Sequence, residues 1–160
     1  MYKKILVPLD GSELAEYALP HIKKLVKSGF SGEVTLLKVF WVDYPEFRNL
    51  HGHPGYVELR KRAENEARQY LSDIKDDLRA GGIQADIALL EGNRPASLIS
   101  DYAQNAKIDL ILIATRGYTG RIGIDPGSGK KMMLGSVAIK VLHEACVPVL
   151  LIRTESCLER

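Results

Sequence analysis

The chain is 160 residues long, 46% hydrophobic and 26% charged, which fits one globular domain with a substantial core and excludes a disordered or fibrous chain. Its 22 basic and 20 acidic residues leave a net charge of only +2, too small and too well mixed for a nucleic-acid partner. No apolar run approaches the roughly 18–20 residues that span a bilayer, and the opening apolar run stops at Asp10, short of the about 7–15 apolar residues of a signal peptide. The expected location is therefore cytoplasmic, without a membrane partner.

The first predicted strand is Lys4–Leu9. A helical stretch follows, with Leu14, Ala18, Ile22, Leu25 and Val26 at helical spacing, Ser12 as its N-cap and Gly29 as its stop. Pro20 falls inside this stretch and is expected to kink it or end its regular bonding. The second strand is Val34–Trp41, and the loop Val42–Pro54 leads to a long charged helix over Gly55–Ala80. Its stripe includes Val57, Leu59, Ala63, Ala67, Tyr70, Leu71, Ile74 and Leu78, and Gly81-Gly82 ends it. Gln84–Leu90 reads as the third strand, Pro95–Ala106 as a helix with proline in its first turn, and Asp109–Thr115 as the fourth strand. After the long segment Arg116–Met133 come a helix over Leu134–Ala145 and a last strand over Val147–Arg153.

Leu110-Ile111-Leu112-Ile113-Ala114 and Val149-Leu150-Leu151-Ile152 are continuous rather than alternating, as a strand buried on both faces requires. Strands alternating with helices imply right-handed crossovers, so the fold class is α/β, a three-layer sandwich around a five-stranded parallel, doubly wound sheet. Residues 1–160 are read as a single domain.

In such a sheet ligands bind beyond the carboxyl ends of the strands, where the strand order reverses. Two segments fit. Pro8-Leu9-Asp10-Gly11-Ser12 follows the first strand and opens the first helix. Thr115-Arg116-Gly117-Tyr118-Thr119-Gly120 follows the fourth strand, and Gly135-Ser136-Val137 then opens the last helix. Free N–H groups and the helix dipole favour an anion such as phosphate there. Glycine lets it approach the backbone, and the Ser136 hydroxyl adds a donor.

These residues resemble the universal stress protein family over nearly the whole chain. The resemblance rests on Lys3-Lys4-Ile5-Leu6-Val7-Pro8-Leu9-Asp10-Gly11-Ser12 at the start, and on Gly135-Ser136-Val137-Ala138 through Cys146-Val147-Pro148-Val149-Leu150-Leu151-Ile152 at the end. The nucleotide-binding branch of that family carries Gly, two residues, Gly, nine residues, then Gly-Ser or Gly-Thr. Gly117, Gly120 and Gly135-Ser136 match its glycines, but fourteen residues, Arg121–Leu134, separate Gly120 from Gly135. The phosphate loop is thus enlarged by about five residues relative to that pattern.

The resemblance implies a role for each matching residue. Asp10 is expected to contact the nucleoside end of ATP, with Pro8 and Leu9 lining the same wall, and the Val39 backbone to meet the adenine. Gly117 and Gly120 match the ribose and phosphate glycines, and Gly135, Ser136 and Val137 the phosphate cradle. The expected sheet order is 3-2-1-4-5, which sets the first and fourth strands side by side. The implied function is a stress-response or signalling protein binding ATP or AMP, with or without Mg, and hydrolysing it slowly or not at all. The alternative is a dimeric interaction module of the same fold without nucleotide; a weaker one is an adenine-nucleotide hydrolase. A homodimer through the exposed last strand is expected, with a further protein partner unknown.

Other chemistry is weakly signalled. Gly123 to Lys131 suggests a phosphate-binding Walker loop, but that motif needs Gly where Ile124 stands and Ser or Thr where Lys131 stands. Arg121, Lys130 and Lys131 stand against a single acid, Asp125, so the segment Arg121–Met133 is expected either to form a mobile lid that orders over the phosphates or to be a flexible insertion that leaves the cradle intact or obstructs it. His51 and His53 carry imidazole, a common metal ligand, but on a glycine- and proline-rich loop they are expected to face solvent. Cys146, in an apolar stretch, reads as a small core residue, and Cys157 lies in a charged tail; their spacing suits neither a zinc site nor a disulfide framework. No Ser or Cys nucleophile has a matching base nearby.

Overall fold

The computed structural model describes residues 2–42, 53–115 and 135–153. In chain order its elements are β1 (Lys4–Pro8), α1 (Glu13–Glu16), α2 (Leu19–Lys27), β2 (Glu33–Phe40), α3 (Pro54–Ala80), β3 (Ala85–Glu91), α4 (Pro95–Asn105), β4 (Leu110–Thr115), α5 (Ser136–Glu144) and β5 (Val149–Arg153). The five strands form one sheet in the order β3-β2-β1-β4-β5, with every neighbouring pair parallel. This is the expected α/β sandwich, with β1 and β4 adjacent at the centre.

Residue alternation along the strands divides the core in two. Ile5, Val7 and Leu9 of the β1 segment, with Leu36 and Leu112, face Ile22 of α2 and Leu71 and Leu78 of α3. Leu6, Leu37, Ile111 and Ile113 face the other way, onto Ile99 and Ala103 of α4 and Ala138 and Val141 of α5. Burying both faces of the central strands is what their continuous apolar runs anticipate.

Several boundaries have local causes. The first helical stretch is two helices: α1 ends at Glu16, and Pro20 occupies the first turn of α2. Proline has no N–H to donate and its ring collides with the carbonyl four residues back, so regular bonding breaks ahead of it. Ser12 caps α1 as expected, its Oγ accepting from the Ala15 amide at 3.2 Å. The last strand starts at Val149 rather than Val147; Pro148 has no donor, although its carbonyl accepts from the Ile111 amide at 2.9 Å. Cys146 is exposed in the turn between α5 and β5, not in the core: the apolar run there belongs to the end of one element and the start of another.

Two ties hold the frame. Asp109 Oδ2 accepts from the Lys3 and Lys4 amides at 2.8 and 2.9 Å, joining the start of β4 to the start of β1. Arg60 on α3 grips the carboxylate of Glu91 at the end of β3, with Nε 2.9 and 2.8 Å from its two oxygens. Among the described residues no helix is long and apolar enough to cross a membrane.

Candidate nucleotide site at the carboxyl edge of the sheet

The two ladders of β1 end at different points. With β2, β1 pairs as far as Pro8↔Leu37, and the Leu9 amide still donates to the Leu37 carbonyl at 2.8 Å. With β4 the pairing stops at Leu6↔Ile111. A crevice therefore opens between the ends of the two central strands. Asp10 follows the end of β1 on one side of it, and Thr115 ends β4 on the other.

On one side lies the turn after β1. Asp10 Oδ1 accepts from the Ser12 amide at 2.9 Å and from the Ser12 hydroxyl at 2.6 Å. That hydroxyl in turn accepts from Ala15, so one short relay runs from the carboxylate into the α1 cap. Asp10 is exposed, and its Oδ2 has no hydrogen-bond partner among the described residues. Gly11 follows at φ +95°, a left-handed conformation that glycine alone adopts freely. Pro8 and Leu9 are both buried, and Leu9 packs in the core against the α1–α3 layer. Only the backbone of Leu9 lines the wall.

Val39 occupies the next strand. The Leu37 carbonyl points toward β1, so two residues on the Val39 N–H and C=O point to the same edge. By then β1 has turned away, and no bond joins Val39 to the Leu9–Asp10 turn. Its side chain packs on the opposite sheet face, against the α4–α5 layer.

The far side is built by β4 and α5. Thr115, 1% exposed, accepts the Gly135 amide on its Oγ1 at 2.9 Å. Gly135 is the N-cap of α5, and no side chain caps that helix. The first intrahelical bond is from the Ile139 amide to the Gly135 carbonyl at 3.0 Å, so the amides of Ser136, Val137 and Ala138 have no intrahelical partner and none among the described residues. Ser136 is exposed, and Val137 is half-buried against the α4–α5 core. Among the described residues, a Cβ built on Gly135 would meet nothing nearer than Thr115 Oγ1 at 3.7 Å, so their packing does not require glycine here.

Beneath the Asp10 turn lies a polar group that pattern reading passed over. Lys38 Nζ donates to the Asp10 carbonyl and sits 5.0 Å from the centroid of the Tyr70 ring. The Tyr70 hydroxyl donates to Glu16 Oε1 at 3.0 Å. Burial lowers the Lys38 pKa against the opposing pull of Asp10. Burial first, and the Glu16 hydrogen bond and charge after it, raise that of Tyr70. The available signal is a lysine flanked by Leu36, Leu37, Val39 and Phe40; its partners lie too far along the chain to be read from spacing. Thr115 likewise reads only as the end of the fourth strand and the start of the segment after it, with nothing in the pattern that points to Gly135.

Gly117 and Gly120 lie outside the described residues, as does the segment Arg121–Met133 read as a lid. His51 and Cys157 do too. His53 is the N-cap of α3, its Nδ1 accepting from the Gly55 amide at 3.2 Å. Among the described residues no group of three His, Cys, Asp or Glu side chains could hold a metal ion.

Comparison with known proteins follows this architecture. The sequence model of the universal stress protein family matches residues 1–153. The chain belongs to the universal stress protein family. It is 31% identical over 153 residues to universal stress protein MJ0531 of Methanocaldococcus jannaschii, covering 96% of this chain and 83% of that one. Among solved structures it is similar to MJ0577 of the same archaeon, with a TM-score of 0.72, 30% identity, and 96% and 97% of the two chains covered. It shares the fold of a family member from Arabidopsis thaliana solved with AMP bound, at 15% identity and a TM-score of 0.64, over 99% and 95% of the chains.

Proposed function

We propose that this universal stress protein binds an adenine nucleotide, ATP or AMP, in the crevice between the ends of β1 and β4, as a stress-response or signalling protein with little or slow hydrolysis. What supports the reading is that the strand order sets three polar groups at the same, carboxyl edge of the sheet, each without a full set of partners among the described residues. The free Oδ2 of Asp10 suits a sugar hydroxyl or a base N–H. The Val39 edge, which has no backbone partner on the β1 side among the described residues, offers one donor and one acceptor to the hydrogen-bonding edge of a purine. The uncapped start of α5 offers amide donors and a positive dipole end to phosphate, with Gly135 leaving the approach open. AMP in the Arabidopsis relative favours the same class of ligand. Gly117 and Gly120 match the family's ribose and phosphate glycines and belong to the same reading.

The proposal extends to a homodimer through β5. This strand pairs with β4 on one side only among the described residues, and Leu150 is 41% exposed on it. A free apolar strand edge is a template for a second chain.

Thermal shift with AMP, ATP and GMP tests the nucleotide reading. At about one hundred times the Kd, a ligand bound only by the folded state adds about 2.7 kcal/mol, or roughly 5–10 °C in Tm for a domain of this size. No shift with either adenine nucleotide at millimolar concentration sinks the reading.

A further inference from the structure

Lys38 projects from β2 on the same sheet face as Val34 and Leu36, into the layer where α3 packs. A half-buried ammonium at such a position is costly unless it is bonded. Here it is met from several elements: the Asp10 carbonyl after β1 accepts from it, Tyr70 of α3 presents its ring face 5.0 Å away, and Glu16 of α1 holds the Tyr70 hydroxyl at 3.0 Å. Gly11 makes the approach possible, because a Cβ there would lie 2.8 Å from Lys38 Nζ. The two ends of Asp10 are thus anchored separately. Its main-chain carbonyl is held by Lys38 and its Oδ1 by Ser12, while Oδ2 stays uncommitted.

We propose that Lys38 is a positioning residue for nucleotide recognition, fixing the Asp10 peptide so that Oδ2 is presented to the nucleoside without reorganisation. The proposal rests on the nucleotide reading above and deepens it. Lys38 contributes through Asp10, by removing the entropy that a mobile turn would lose when the ligand binds. Tyr70 and Glu16 brace the lysine from below and make no contact with the nucleotide.

The experiment is a double-mutant cycle, read by isothermal titration of AMP into the full-length protein, its Lys38→Met and Asp10→Ala variants, and the double variant. Each single variant is expected to bind about tenfold more weakly. The double variant is expected to match the Asp10→Ala protein, because a lysine that acts through a carboxylate has nothing to position once the carboxylate is gone. A general structural role would instead multiply the two losses, to about a hundredfold, and would overturn the proposal. Wild-type affinity in Lys38→Met would overturn it too, leaving the nucleotide reading in place. Absence of AMP binding by the wild-type protein would overturn both. Lys38→Gln, run in parallel with Tm measured throughout, supplies the cycle if the methionine variant does not fold.

Discussion

The Gly135 amide donates to the buried hydroxyl of Thr115 at 2.9 Å, so the last residue of β4 holds the first residue of the α5 cap across a separation of 20 positions. This bond sets where the free amides at the start of α5 lie relative to the sheet, whatever path the intervening chain takes. Thr115→Val keeps the shape and removes the acceptor. The expected cost is about 1–2 kcal/mol for the stranded amide, a fall of roughly 3–6 °C in Tm, with weaker AMP binding alongside. Thr115→Ser should retain both properties. Calorimetric melting of the three proteins decides, and an unchanged Tm in the valine variant would show the bond to be dispensable.

Gly135 itself probes the phosphate end. Its φ of −59° and ψ of 141° suit any residue, and among the described residues nothing lies closer to its Cβ direction than 3.7 Å. Gly135→Val should therefore fold, losing only about 1 kcal/mol of capping preference, yet bind ATP at least about tenfold more weakly, because the branched side chain occupies the phosphate's approach. Gly135→Ala should fall between. Equal ATP affinities in titration calorimetry would move the phosphate away from α5.

Asp109 gives the pH dependence. The Lys3 amide first, then that of Lys4, hold its carboxyl below the usual range, helped by the charges of both lysines and opposed by burial. The folded chain thus prefers the ionised form more than the unfolded chain does. The resulting stabilisation is complete above the unfolded value, about 4, and disappears as the pH falls through the depressed folded value. Asp109→Asn should therefore melt below wild type at pH 7, with the gap closing as the pH drops below 4. A gap that stays constant down to pH 2 would assign its origin to something other than ionisation.

Ser100 is 9% exposed in the middle of α4, and its Oγ has no hydrogen-bond partner among the described residues. Ser100→Ala removes a desolvated hydroxyl and installs a better helix former. We expect a gain of about 1 kcal/mol and a Tm higher by roughly 2–4 °C. A lower Tm would mean that the hydroxyl is satisfied in solution.

The β5 edge predicts assembly. Leu150→Lys places a charge where a second chain would add its strand, a device that blunts edges in natural sheets. Sedimentation velocity at micromolar concentration should show a dimer for the wild type and a monomer for the variant. A wild-type monomer removes the proposal, and a variant dimer moves the interface off Leu150.

Local pattern was sufficient for the architecture. Continuous apolar runs such as Leu110–Ala114, interleaved with helical stripes, allow only a sheet buried on both faces, and Pro20 announces its helix break because a missing N–H acts within one turn. The Asp10 turn and the start of α5 were legible for the same reason: glycine, serine and aspartate carry their conformational and capping preferences with them. Pattern failed where one apolar stretch spans two elements, which is how the exposed Cys146 came to read as core. It was also silent on Lys38 with Asp10 and on Thr115 with Gly135, which are 28 and 20 positions apart. The first exists because the order β3-β2-β1-β4-β5 sets β2 beside β1, and the second because α5 begins against the end of β4. A hydrogen bond is decided within about 3 Å, and only the packed sheet sets distances between chain-distant atoms that closely.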